Sequence, residues 1–217
     1  CAGVAEALAI SGDGKTAAAL NLEKNVVSLY DMKDGTLLKE RALEEKTMRR
    51  AFNDAFADPE NAVFCLNEDG TMLAISFSDG GLSILDMNHP EDDLTVYETS
   101  DYTDFSGGFS LNKFAFSAGK NDQSIFGLVD VSNGTYIGDL ESTLPMRAKA
   151  GNDGILVSEG NLLSEFDPDT LEDREIAFTD NFNIINFSVS RQNTLTVTDE
   201  PGFSIFDRGE NTLAHEK

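Results

Sequence analysis

Short apolar runs alternate along the chain with turns built from Gly, Asp and Asn. One unit recurs: an apolar run, a turn, a second run, a third run ending in an aromatic or aliphatic residue plus Asp, then a turn and a fourth run. The third runs close at Leu29-Tyr30-Asp31, Ile84-Leu85-Asp86, Leu128-Val129-Asp130, Glu165-Phe166-Asp167 and Ile205-Phe206-Asp207. Successive Asp residues are 55, 44, 37 and 40 positions apart, intervals that bracket the ~40–45 residues of a four-stranded blade. Spacing inside the unit is tighter. Ser11 to Asp31 and Ser110 to Asp130 each span 20 positions, Asn67 to Asp86 spans 19, and Ala150 to Asp167 and Ser190 to Asp207 each span 17. Length variation therefore falls outside this core, where connecting loops belong.

The turns agree with the runs. Ser11-Gly12-Asp13-Gly14, Asn67-Glu68-Asp69-Gly70 and Gly151-Asn152-Asp153-Gly154 join first runs to second runs, and Asp-Gly pairs supply the positive φ that tight hairpins demand. Asp34-Gly35-Thr36, Asn133-Gly134-Thr135 and Pro168-Asp169-Thr170 follow the third runs. In the middle runs Val26–Tyr30 and Ser124–Val129 neither alternating face is wholly polar, the pattern of a strand covered on both sides. Ala17, Ala18 and Ala19 suit a crowded inner position. Sheets stacked face to face around an axis satisfy all of this.

The pattern predicts an all-β fold, a β-propeller of four-stranded antiparallel blades, with five blades in this chain. Blades are expected over about 5–45, 61–100, 105–141, 146–178 and 184–215 of a single domain spanning 1–217, with an insertion within 39–60. Five lies inside the four-to-eight range of propellers. The ring either closes with these five blades or forms part of a larger ring. An open arc would expose an apolar blade face and predicts association.

These residues resemble the tryptophan–aspartate repeat (WD-repeat) propellers. Ser-Gly-Asp-Gly at 11–14, Leu-Tyr-Asp at 29–31 and Lys-Asp-Gly-Thr at 33–36 look like that family's turn before the second strand, the close of its third strand and the turn that follows. The likeness is strongest over residues 5–90. No Trp precedes any of the Asp residues and no Gly-His pair opens a blade, so the family's Asp-His-Ser/Thr-Trp network is not carried over. Divergent bacterial WD-like or lactonase-like propellers fit better than the eukaryotic type.

Charge narrows the partners. Sixteen Lys plus Arg against thirty-nine Asp plus Glu leave a net −23, which repels phosphate backbones and anionic lipid surfaces. Cys1 and Cys65 imply no disulfide framework, and the compartment stays unassigned. A leading Cys also fits a lipid-bearing bacterial terminus, but a strand is expected within about five residues, with no tether, so a domain excised from a longer chain is the preferred reading. No apolar run reaches the ~18–20 residues of a membrane span.

Candidate chemistry is sparse. The 39–60 insertion spaces Met48, Phe52 and Phe56 as one helical face and carries Lys39, Arg41, Lys46, Arg49 and Arg50, a candidate docking element for an acidic partner. The plainer reading is an irregular rim loop. His89 and His215 have no His or Cys at zinc-ligand spacing. Glu91-Asp92-Asp93 and Asp167-Pro168-Asp169 offer oxygen ligands for calcium without matching the D-x-[DN]-x-[DN]-G loop, and no cofactor is predicted. No G-x-S-x-G elbow is present. The expected function is a non-catalytic scaffold binding a protein or small ligand on a propeller face, as the sensing or docking domain of a larger protein. The alternative is a lactonase-like hydrolase whose central channel gathers carboxylates or His from several blades. The runs nearest the axis offer Ala7, Ala9, Phe64, Leu66, Asn186 and Ser188, few of them acid–base groups, which favours the scaffold.

Overall fold

A computed structural model of the chain describes residues 5–43, 62–77, 79–98, 100–151, 154–170, 172–178, 183–189, 193–198, 203–207 and 212–216. These form five four-stranded antiparallel sheets, each built from strands consecutive in the chain. The first comprises β1 (Ala7–Ile10), β2 (Thr16–Asn21), β3 (Val26–Asp31) and β4 (Leu37–Ala42); the second, β5 (Phe64–Leu66), β6 (Met72–Ser76), β7 (Leu82–Asp86) and β8 (Leu94–Tyr97). The third runs β9 (Thr103–Ser110), β10 (Lys113–Lys120), β11 (Gln123–Asp130) and β12 (Thr135–Ser142). The fourth is β13 (Met146–Gly151), β14 (Gly154–Glu159), β15 (Leu162–Phe166) and β16 (Asp173–Phe178). The fifth is β17 (Ile184–Val189), β18 (Asn193–Thr198), β19 (Phe203–Asp207) and β20 (Thr212–Glu216). The helical content among the described residues is a single 3-10 turn over Pro90–Asp92. Met48, Phe52 and Phe56, where the sequence pattern suggested a helical face, lie outside the described residues.

The turn chemistry explains why each unit folds as a meander. Asp31 Oδ1 accepts from the N–H of Lys33 (2.7 Å), Asp86 from those of Asn88 (2.7 Å) and His89 (2.8 Å), Asp130 from Ser132 (3.0 Å), and Asp167 from Asp169 (2.8 Å) and Thr170 (2.9 Å). The recurrent Asp at the end of the third strand is thus the cap of the turn that follows it. Gly35 and Gly134 sit at φ near +70° in two of these turns, and each donates its N–H to the carbonyl of the capping Asp. Every sheet also carries a register shift between its third and fourth strands; such an irregularity bends the outer strand and sharpens its twist.

Cores lie between sheets, not within them. Consecutive sheets place their first strands side by side, β1 by β5, β5 by β9 and β9 by β13. Val27, Leu29 and Leu20 of the first sheet pack on Leu73, Ile75 and Leu85 of the second. The opposite face of the second sheet (Ala74, Leu82, Ile84) meets Phe105, Phe114 and Phe116 of the third. Phe126 and Leu128, on the third sheet's other face, meet Ile155, Val157 and Phe166 of the fourth. Leu156 and Leu163 then meet Ile184 and Phe187 of the fifth. Phe114 stacks on Phe116 (6.1 Å, 17°), and Tyr97 and Tyr136 set their edges on Phe116 at 5.8 and 6.3 Å. Gly127 makes this possible: a Cβ there would lie 2.5 Å from Phe116 Cζ and 2.4 Å from Tyr136 Oη.

Buried serines recur in the second strands, and two of them reach the next sheet. Ser76, Ser117 and Ser158 occupy the same place in the second strands of three successive sheets and are at most 2% exposed. Ser117 Oγ donates to the Met146 carbonyl (3.2 Å) and accepts from the Ala148 N–H (3.0 Å), both on the next sheet. Ser158 Oγ donates to the Ile184 carbonyl across the following interface (3.4 Å). Replacing Ser117 by Ala leaves the Met146 carbonyl without this donor in a dry interface, and should lower unfolding stability by about 1–3 kcal/mol. Phe116→Ala, which empties the aromatic core, should cost about 3–5 kcal/mol. Urea unfolding followed by circular dichroism measures both.

The third-sheet cap adds a pH dependence. Lys113 Nζ lies 2.5 Å from Asp130 Oδ2. The lysine first, and the hydroxyl and N–H of Ser132 next, hold the Asp130 carboxyl down at about 2, against an ordinary 3.8. A carboxyl lowered on folding stabilises above its unfolded value, and that contribution disappears as pH falls through the folded one. Asp130→Asn should therefore unfold at lower urea than wild type at pH 7. The gap should narrow below about pH 4 and close near pH 2; an equal gap at pH 7 and pH 2 would contradict the assignment.

Candidate functional site

In an up-and-down meander, the turns after the first and third strands fall at one end and those after the second strand at the other. Contacts between sheets show that these ends coincide around the assembly. The N–H groups of Gly12 and Asp13 donate to the carbonyls of Asn67 (3.3 Å) and Glu68 (2.9 Å), joining the hairpin tips of the first and second sheets. The two tips approach so closely that a Cβ on Gly12 would lie 3.2 Å from the Glu68 Cα and displace the Glu68 carboxylate. The turn at Gly134 packs on Leu94, which opens β8 of the second sheet. One end of the molecule, the hairpin end, thus presents two turns from each sheet.

That end is densely acidic. Asp13 accepts from the Lys15 ammonium and N–H and from the Ser11 hydroxyl, which hold its carboxyl at about 2. Asp34 is lowered by the side chain and N–H of Thr36, and Asp69 chiefly by the Thr71 hydroxyl. Asp167 is lowered by the N–H groups of Thr170 and Asp169. These carboxylates stay ionised well below neutral pH, and each uses one oxygen to rigidify its own turn.

A groove of about 910 Å³ lies between β4 and the outer strands of the second sheet. Leu43, Leu85, Met87 and Pro90 supply apolar lining, and Glu91 and Glu98 supply charge. Lys39 and Arg41 stand on its wall. Lys39 Nζ donates to Asn88 Oδ1 (3.4 Å), Arg41 Nη1 donates to the Asp86 carbonyl (2.6 Å), and Arg41 Nη2 pairs with Asp93. Both basic side chains are therefore directed at the second sheet. Lys46, Arg49 and Arg50 lie outside the described residues.

The 3-10 turn over Pro90–Asp92 folds Glu91 and Asp92 back on His89, so that one ligand atom from each lies within 4.8 Å of the others. All three are exposed, and His89 Nδ1 is 3.5 Å from Glu91. A divalent cation is the group such a trio could hold. The sequence offered Glu91 and Asp92 as oxygen ligands but not His89, which the tight turn brings beside them. Asp93, counted with the same acidic run in the sequence, points elsewhere: its oxygens take the Asp86 N–H (2.9 Å) and Arg41.

Along the first strands of the sheets, Asp104 is the carboxylate among the described residues. Cations stand there as well. Arg147 donates to the Asp104 carbonyl (2.9 Å), and Lys149 Nζ lies 2.6 Å from Asn186 Oδ1 and 5.1 Å above the Phe187 ring. Cys65, half-buried beside the second core, has its thiol pushed up to about 12 by loss of water contact, so it is a protonated packing group at neutral pH.

No family model and no curated protein matches the chain. Among solved structures, the β-propeller domain of Cps50 (Swd1) from Myceliophteria thermophila is similar, with a TM-score of 0.59 and 13% sequence identity over 98% of this chain and 73% of that one. An identity that low speaks to architecture alone. The five stacked meanders and this likeness together establish that the chain folds as a β-propeller of four-stranded antiparallel blades.

Proposed function

We propose that the chain is a WD-repeat-like docking propeller, a non-catalytic scaffold whose hairpin end receives a basic segment of a partner protein. The observation that carries this reading is the gathering of capped, ionised carboxylates from successive blades (Asp13, Asp34, Asp69, Asp130, Asp167) at one end. Turns held by their own side chains lose little entropy on binding, so a charged partner meets a preformed surface. A net charge of −23 steers cationic segments toward it. The turns at 11–14, 29–31 and 33–36 support the WD-repeat-like assignment, since each is capped by the Asp of its motif. The role of a sensing or docking domain within a larger protein follows from the same scaffold character.

The test is binding of a fluorescent Lys/Arg-rich peptide by anisotropy. Affinity should fall as salt rises. Asp34→Asn, Asp69→Asn and Asp92→Asn together remove three charges, and Asn keeps the carbonyl oxygen that caps a turn. This triple variant should bind roughly tenfold more weakly. Glu23→Gln, Asp79→Asn and Asp122→Asn, at the opposite end, should leave binding nearly unchanged. Equal losses in the two variants, or equal affinity for an uncharged peptide, would refute the assignment of the hairpin end.

A further inference from the structure

Four residues other than glycine hold a positive φ among the described residues: Asn25, Asp104, Leu111 and Asn121. Asn and Asp tolerate that conformation, because their short polar side chains bond locally. Leucine does not, since its Cβ crowds the following carbonyl oxygen. Leu111, at φ +52°, is the exception, and its position sharpens the conflict. Ser110 pairs with Lys113, so Leu111 and Asn112 alone form the loop between β9 and β10. A two-residue hairpin loop whose first position has positive φ takes Gly, Asn or Asp there. The other such loop of this sheet obeys that rule with Asn121, at φ +51°.

Packing among the described residues does not account for the leucine. Its side chain is 72% exposed, and it belongs to none of the four interface cores that these residues form. The loop is held by its neighbour instead. The Asn112 carbonyl accepts the Val131 N–H (2.9 Å), and the Asn112 amide reaches Asp130 Oδ1 (3.5 Å). A strained, water-facing apolar side chain lowers stability, and conformational outliers of this kind cluster where ligands are held. The β9–β10 turn follows a first strand, so Leu111 stands at the hairpin end, beside the Asp130 cap and on the same end as Asp13, Asp34, Asp69 and Asp167.

We propose that Leu111 is the apolar contact of the docking surface, and that the segment it receives carries a large apolar side chain, Leu or Phe, among its Lys and Arg residues. The inference rests on the docking function proposed above and adds a specificity to it. Charge complementarity selects a cationic segment and speeds its arrival. An apolar pair that sheds its water governs how long the complex lasts. The two-residue loop presents Leu111 from a rigid hairpin, so little freedom is lost when the side chain is covered.

Anisotropy with two fluorescent Lys/Arg-rich peptides of equal charge tests this, one with Leu at its centre and one with Ser. Wild type should bind the Leu peptide roughly tenfold more tightly. Leu111→Gly should bring the Leu peptide to the level of the Ser peptide. The same variant should raise the thermal midpoint by about 2–4 °C, because glycine relieves the positive φ. Lost affinity in a more stable protein separates the contact from any damage to the fold. The triple variant Asp34→Asn, Asp69→Asn and Asp92→Asn should weaken both peptides alike and keep the preference for Leu. Equal affinity of wild type for the two peptides, or a preference that survives Leu111→Gly, overturns the role of Leu111 and leaves the docking function standing. A thermal midpoint that falls in Leu111→Gly also overturns it, since the leucine would then be supporting the fold. Failure of wild type to bind either peptide overturns both.

Discussion

Face-to-face burial of neighbouring sheets is the interaction on which everything else in this protein rests. A single four-stranded meander has no second layer to bury its apolar faces; burying one Val, Leu, Ile or Phe is worth about 1.5–3 kcal/mol, and here that gain comes between units. Val27 and Leu29 are buried because the second sheet lies over them, and Ala74 and Ile84 because the third does. Stability in such an array is a sum of neighbour contacts, each sheet held by those beside it.

Polar groups in this framework do two different jobs. Buried serines satisfy backbone groups at places where two sheets meet: Ser117 spans to Met146 and Ala148, and Ser158 to Ile184. They hold the spacing of sheets whose apolar packing has no directionality. The recurrent Asp residues of the first four blades sit at the rim and cap turns, and with the other turn carboxylates they gather negative charge at one end. A structural need repeated from blade to blade thereby creates a surface property of the molecule. No catalytic constellation is required to explain why those carboxylates recur at one end.

The candidate site was legible in part. The acidic loop at 91–93 and the basic stretch from Lys39 stand out in the sequence, but their roles depend on direction. A register shift between Leu29 and Tyr30 pairs Lys39 with Leu29 and Arg41 with Val27, which turns both cations toward the second sheet. One residue of slip would reverse the faces. Likewise Glu91 and Asp92 converge on His89 only because Pro90 begins a 3-10 turn, while Asp93, one position further, is drawn to Arg41. Ligand spacing rules look for residues brought together by regular elements and pass over a turn of this kind.

Much of the architecture is local chemistry and so can be read from the chain itself. Asp-Gly turns at fixed distances, apolar runs of strand length and an Asp closing each third strand set the number of sheets and the order of strands. Each depends on residues within a few positions of one another. The tertiary structure alone decided the rest: which serine crosses an interface, how Gly127 admits the rings of Phe116 and Tyr136, and where the rim groove opens. Those outcomes depend on how one sheet sits against the next, and the packing of two surfaces distant in sequence leaves no periodic trace along either of them.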